Sequence, residues 1–450
     1  MGDLVWLRRD LRRSDLPTLA QAAAGGPVTV AFVVDPALWD TSAGTPRRRW
    51  LAANLLVLRA VYDGRLTLLE GDPRTEIPKL AAELGASAVH ISEETEPDGA
   101  ARDRAVERSL GHVRLVRTGS PYAVTPGRVR TGSDTPYQRF TPFSNAWRDH
   151  GWRAPATELA DLELARDRSA AGAWQRVAAA AEEGGPDQPE PGEAAALTRW
   201  RAFLEGHLHA YDATRDRPDL SATSGMSPYL KLGVVHPRTL LADLVGHAGT
   251  SAERFVTELA WREFYADVLH HNPRSVWEDL RPELARMTYD DEPELVEAWR
   301  QGRTGVPLVD AGMRQLRATG WMHNRVRMVT ASFLVKHLHT RWQVGAQHFL
   351  DHLIDADVAS NQHGWQWVAG TGTDAAPYYR VFNPVLQGER FDPDAAYVRH
   401  WVPELAGLDP KQAHRPWTVA SEDRHGYPDP IVDLDAERRD ALERHQAARA

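Results

Sequence analysis

The change of period along the chain constrains its fold more than anything else in it. In the first quarter, short apolar runs at residues 4–6, 28–34, 66–69, 88–91 and 113–116 alternate with stretches of helical spacing at 17–24, 47–62, 76–84 and 100–110. Strands separated by helices pair side by side only through crossovers, so residues 1–125 are expected to form βαβ units and a doubly wound parallel sheet. Between 126 and 193 the periodicity weakens, and Ala, Gly, Pro and acidic residues gather, as in Glu182-Glu183-Gly184-Gly185-Pro186-Asp187. That composition predicts a surface-running interdomain connection holding one or two short helices. From 194 to 450 the period is nearly all helical, at 195–209, 237–244, 251–269, 293–300, 307–319, 323–337 and 345–353. The fold class is therefore α/β, a Rossmann-like domain followed by an all-helical one.

With 450 residues, 42% of them apolar, the chain has material for two cores. No apolar run approaches the ~18 residues a membrane span needs, and Met1-Gly2-Asp3-Leu4-Val5-Trp6 enters a strand pattern rather than a signal peptide. A cytoplasmic protein without membrane partners is expected. The lack of cysteine excludes disulfides, a cysteine nucleophile, a zinc ribbon and an iron–sulfur cluster. A formal charge of −9 argues against indiscriminate polyanion binding but leaves room for a local basic patch. Lys occurs only at 79, 231, 336 and 411, the other cations being Arg; this reads either as GC-rich coding or as guanidinium recognition of phosphates. Of 16 Trp residues, nine lie from Trp261 onward.

Several stretches carry chemistry. The first βα turn, Arg8-Arg9-Asp10-Leu11-Arg12, has no Gly-x-Gly-x-x-Gly, so the N-terminal domain is not an ordinary NAD site. Thr223-Ser224-Gly225-Met226-Ser227 sets three hydroxyls before a helical run, suited to a pyrophosphate cradle or to a plain N-cap. Glu258, Trp261, Arg262 and Tyr265 fall at i, i+3, i+4 and i+7 and share a helix face, either to read, stack on and anchor a nucleotide or to support the helix. Residues 311–350 contain no acid but six bases, Arg314, Arg317, Arg325, Arg327, Lys336 and Arg341, around Trp321-Met322-His323-Asn324-Arg325. Such a run reads as a nucleic-acid groove or as a solvated helix face. Asp355 and Asp357 have no third ligand at a metal spacing; with Asn361, Gln362, Trp365 and Trp367 and then Thr371-Gly372-Thr373-Asp374, they suit a sugar- and ring-bearing organic cofactor better than a metal ion. His348 and His352 are i,i+4 without a metalloprotease glutamate and read as packed or surface histidines.

Together these motifs resemble the photolyase/cryptochrome flavoproteins, and among them the class I cyclobutane pyrimidine dimer photolyases. The resemblance runs nearly the whole length and is tightest in Glu258-Leu259-Ala260-Trp261-Arg262-Glu263-Phe264-Tyr265, in Gly320-Trp321-Met322-His323-Asn324-Arg325-Val326-Arg327-Met328 and in residues 365–377. It implies light-driven repair of UV-damaged DNA by a monomer that holds FAD in its helical domain. The alternative it leaves is a cryptochrome-like photoreceptor signalling through a protein partner. By motif match Tyr211, Thr223, Ser224, Met226, Ser227 and Arg262 would line the FAD phosphates. Asp355 and Asp357 would sit near the ribityl and ribose hydroxyls, Arg327 would pair with Asp355, and Asn361 would face the flavin N5. Glu258 and Asn324 would bond the thymines, Trp261 and Trp367 would stack on them, Met328 would pack against them, and Arg215 and Arg325 would contact phosphates. Trp365, Trp342 and Trp299 resemble the family's electron-hopping chain between flavin and surface. His323 followed by Asn324, rather than a His-His pair, argues against the (6-4) lesion. Phe255, Thr257 and Gly225 depart from the best-known bacterial relatives. Residues 93–103 lack the folate-binding pattern, so the second, antenna chromophore is expected to be an 8-hydroxy-deazaflavin near residues 32–38 and 47–50 rather than a folate, with an empty pocket as the next choice.

Overall fold

The computed structural model describes residues 2–40, 44–284, 286–373 and 379–449. By internal contacts the chain divides into two units. The first comprises Met1–Gly184, Pro189–His209 and Ser224–Pro273; the second comprises Gly185–Gln188, Ala210–Thr223 and Arg274–Ala450.

The first unit is built on five parallel strands, β1 (Leu4–Leu7), β2 (Thr29–Val34), β3 (Thr67–Glu70), β4 (Ala88–Ile91) and β5 (Arg114–Arg117), in the order β3-β2-β1-β4-β5. Leu4 lies opposite both Thr29 and Val89, so the winding direction reverses around β1. Every residue of β1, β2 and β4 is buried, which is what helices on both faces of a sheet require and why these strands read as unbroken apolar runs. The crossover helices Pro17–Ala23, Thr45–Val61, Pro73–Leu84 and Pro97–Ser109 each carry Pro in the first turn, where its missing N–H costs nothing.

The turn after β1 is filled by side chains where a nucleotide-binding turn would be open. Asp10 accepts from the Arg8 N–H and the Ser92 hydroxyl, both at 2.7 Å. Arg8 stacks on Trp6 and pairs with Asp103 at 3.3 Å, while buried Arg12 donates to the Gly233 carbonyl at 3.0 Å and to that of Asp15. Residues 126–193, expected to run over the surface, contribute the helices Phe140–His150 and Ala173–Ala181, which bury Phe143, Trp147, Trp174 and Val177.

The second unit is helical. Pro293–Gln301, Pro307–Thr319, Asn324–Lys336, Trp342–His352 and Val358–Ala369 enclose a core of Trp299, Met313, Leu316, Phe333, Leu334, Trp342, Phe349 and Trp365. Asp310, fully buried, ties in the chain's C-terminal part: it accepts from the Thr304 N–H and hydroxyl, the Gly305 N–H and the Tyr427 hydroxyl, and burial raises its pKa to about 6. Among the described residues no helix is long and apolar enough to cross a membrane.

Candidate functional site

In the first unit, the helix Thr250–His271 is the frame. Most of its middle is buried, and Glu258, Trp261, Arg262 and Tyr265 form a partly open stripe along it. The opposite side fixes its position. Glu263 accepts from the Ala123 N–H (2.6 Å), the Val124 N–H (2.9 Å) and the Trp147 indole N–H (2.9 Å), and Asp267, one turn on, accepts from the Gly127 N–H (2.7 Å). Burial raises the pKa of both carboxyls. Trp261 lies flat against Phe140, 3.6 Å between ring centroids, so one of its faces is already covered. Arg262 donates to the Pro121 carbonyl at 3.1 Å and lies over the Tyr122 ring. Phe255 packs on Trp200 and Phe203.

In the loop that follows Thr223, Ser224 is half-buried, Gly225 has φ +62°, and Met226, buried, precedes the six-residue helix Ser227–Leu232, which starts with the exposed Ser227. A Cβ at Gly225 would overlap the Arg199 guanidinium, whose Nε donates to the Ser224 carbonyl at 2.8 Å. The departure at position 225 thus has a local cause: an arginine from the helix Glu193–Gly206 occupies the room that a side chain would need.

In the second unit, two of the expected phosphate-binding residues converge. Arg215 and Arg325 both face Asp216, at 3.9 and 2.9 Å, with Arg215 also over the Tyr211 ring. Thr223 is half-buried. His323 caps the helix Asn324–Lys336 by accepting the Arg325 N–H, which needs a neutral ring; burial lowers its pKa to about 4. Asn324 is exposed, and Arg325, Arg327 and Met328 are half-buried. Arg327 bonds both oxygens of buried Asp355, at 2.9 and 3.1 Å, so the expected pair is present. Asp357 caps the helix Val358–Ala369 through the Ser360 N–H. The polar segment around 360, which lies outside the stretches of apolar helical spacing, is thus a helix. Its amides are polar because they clamp a neighbouring loop: Gln362 donates to the Val276 carbonyl and Gln366 to that of Ser275. Asn361 donates to the Ala346 carbonyl, and Trp367 is half-buried. Asp374 and the rest of the motif, to 377, lie outside the described residues.

The acid-free run is not acid-free in space. Arg314 pairs with Glu404 (2.7 Å), Arg325 with Asp216, Arg327 with Asp355 and Arg341 with Asp291 (3.0 Å). Lys336 instead donates to the Arg380 carbonyl, and burial lowers its pKa to about 7.

The three indoles belong to one buried core. Trp365 and Trp299 meet edge to face at 6.2 Å, whereas the Trp342 N–H bonds Asp279. All three are buried, and Trp299 is 0% exposed. Gly345 is without a side chain where the Trp365 ring packs, since a Cβ there would overlap the indole.

Residues 3–161 match DNA photolyase and residues 255–447 the FAD-binding domain of DNA photolyase. A deoxyribodipyrimidine photo-lyase of Thermus thermophilus is 40% identical over 97% of this chain and 96% of its own. The chain belongs to the photolyase/cryptochrome family. Among solved structures, a class III photolyase from Agrobacterium tumefaciens superposes with a TM-score of 0.91 at 35% identity over 99% of this chain and 97% of that one. A Synechocystis cryptochrome follows at 0.89 and 26% identity, covering 98% of each. FAD is the cofactor of this photolyase-family chain, and the donors present suit it: hydroxyls before a helix start for a pyrophosphate, buried carboxylates for sugar hydroxyls. Sequence reasoning gave no role to Glu263, Asp267, Asp216 or Arg199. Only Glu263 had a visible signal, as an acid inside the tightest motif.

Proposed function

We propose that this DNA-repair photolyase, of the class I type, splits cyclobutane pyrimidine dimers that have been flipped out of duplex DNA. The observation that carries the reading is the partly open stripe of Glu258, Trp261, Arg262 and Tyr265 on a helix whose opposite face is buried and clamped by hydrogen bonds. Bound in reduced form, FAD would supply the light-driven one-electron chemistry that opens the cyclobutane ring. The chain's residues bind and orient. In the first unit, Ser224, Met226, Ser227 and Arg262 would hold the cofactor's phosphates, Glu258 would accept a thymine imide N–H, and Trp261 would stack on the lesion by its uncovered face. In the second, Tyr211 and Thr223 would contact phosphate oxygens, Asp355, held by Arg327, and Asp357 would take sugar hydroxyls, and Asn361 would lie toward the flavin ring. Asn324, Met328 and Trp367 would contact the lesion, and Arg215 and Arg325 would exchange Asp216 for DNA phosphates. Base flipping costs about a few kcal/mol for enzymes of this kind, photolyases included, and stacking returns ~1–3 kcal/mol per base. Trp365, Trp299 and Trp342 would conduct electrons to the cofactor.

The same reading has the enzyme act as a cytoplasmic monomer, with a deazaflavin antenna near residues 32–38 and 47–50. Mass spectrometry of the extracted chromophores identifies that second pigment. The deciding experiment is dimer splitting under blue light: Glu258→Ala is expected to lower repair by at least tenfold, about 1.4 kcal/mol, with FAD still bound. Full repair by that variant would sink the assignment. Signalling through a partner, to which the Synechocystis likeness points, predicts light-dependent partner binding without dimer splitting.

A further inference from the structure

Arg199 stands at the hydroxyl-bearing loop without a counter-charge. It comes from the helix Glu193–Gly206, whose place is fixed from several sides. Glu193 accepts the Arg13 N–H at 3.1 Å, the Trp200 indole N–H bonds Asp243 at 2.9 Å, and Trp200 and Phe203 pack on Phe255. Arg199, next to Trp200 but exposed, reaches the loop, where its Nε donates to the Ser224 carbonyl at 2.8 Å. The rest of the guanidinium lies against Gly225 on the side a Cβ would take, and φ +62° suits that position to glycine. A guanidinium carries several N–H donors in one plane, yet among the described residues Arg199 has no ion pair and no second hydrogen bond. Arg262, by contrast, is already committed: it donates to the Pro121 carbonyl at 3.1 Å and, at 3.4 Å, to that of Leu230 in the helix Ser227–Leu232. Ser224 and Ser227 offer hydroxyls but no charge, whereas each phosphate of a pyrophosphate diester is anionic.

We propose that Arg199 is the cation of this loop: with Nε anchored on the Ser224 carbonyl, its terminal nitrogens take a phosphate oxygen of FAD and retain the cofactor. The proposal rests on the reading of residues 224–227 as the phosphate loop and adds to it a residue from a different element. A DNA phosphate has the same chemistry, but the bond from Arg199 to the loop itself favours the cofactor. The guanidinium has two tasks, bracing the backbone and supplying charge, and substitution separates them. Lysine would keep the charge but lose the planar fork that serves two acceptors at once. Glutamine would keep a donor for the carbonyl but lose the charge. Charge-assisted hydrogen bonds are roughly twice as strong as neutral ones, and salt screens them where the cation is exposed.

FAD retention tests this. Oxidised holoenzyme is diluted into buffer at low and at high KCl, and release of FAD is followed by the rise of its fluorescence. Arg199→Gln is expected to release FAD at least about tenfold faster than the parent at low salt and to lose most of the parent's salt dependence. Arg199→Lys should fall between the two at low salt and keep the salt dependence. Release from Arg199→Gln at the parent's rate overturns the proposal. So does equal acceleration in both variants with an unchanged response to salt, which is what a brace for the loop alone would give. Unchanged FAD release together with weakened binding of undamaged duplex DNA gives the guanidinium to DNA phosphate and overturns the cofactor assignment. Ser227→Ala separates the proposal from the reading beneath it. Faster release in Ser227→Ala but not in Arg199→Gln removes Arg199 alone; no change in either removes the loop as the phosphate site.

Discussion

The helix Thr250–His271 and the segment from Met322 to Trp367 hold their functional side chains by opposite means. The first presents a partly open stripe on one helix whose buried face is fixed by carboxylates, Glu263 and Asp267, bonded to backbone amides. The second assembles its residues from helix starts and loops, fixed by ion pairs such as Arg327–Asp355 and packed with buried neutral histidines. Spacing along one helix positions groups through local geometry. Positioning by ion pairs needs partners that are distant in sequence, and it makes the second region the more sensitive to protonation.

Acid should separate the two regions most strongly. Burial lowers His323, His337 and His363 to about 4 and His348 to about 3, against 6.5 when unfolded. The unfolded chain therefore takes up more protons as the pH falls below 6.5, and stability is lost from there down toward 4, on the order of 2 kcal/mol per histidine by pH 5. Asp310, raised to about 6, works in the other direction over its own range, gaining stability as pH falls. In the first unit Glu263 and Asp267 are raised as well, so acid favours their folded environment, with buried His236 as counterweight. Segment-resolved hydrogen exchange at pH 7 and pH 5 should show the second unit opening first; equal loss in both would break the contrast. Next in size, Glu263→Ala strands two backbone N–H groups and the Trp147 N–H, about 3–6 kcal/mol in urea unfolding. Asp355→Ala should cost about 1–3 kcal/mol, since Arg327 is still partly solvated, and should lower FAD occupancy measured by absorbance. At the small end, Arg148→Ala removes an exposed pair with Glu253 at 2.8 Å, worth less than about 0.5 kcal/mol in the same unfolding assay.

Periodicity was enough to find all five strands, and Pro307–Thr319 begins and ends where the helical spacing does, because local pattern and burial agree there. Val358–Ala369 was hidden because Gln362, His363 and Gln366 face inward to bond loop carbonyls or pack, so the buried side of the helix reads as polar. The stripe on Thr250–His271 was legible from spacing alone. The charge state of residues 311–350 was not, since its neutralising acids come from 216, 291, 355 and 404. Nor could sequence tell that Trp299 ends beneath His348, since a tryptophan's distance from solvent depends on which helix covers it.

The contact of Gly345 with the Trp365 ring has a further bearing on that indole. A ring seated against an α-carbon inherits the rigidity of main chain, where one seated on another side chain would share that neighbour's rotameric freedom. Tunnelling decays exponentially with separation, so the glycine narrows the spread of any transfer rate through this tryptophan, and a methyl group added at 345, which would overlap the indole and Leu334, would disturb that rate and the packing of the core together.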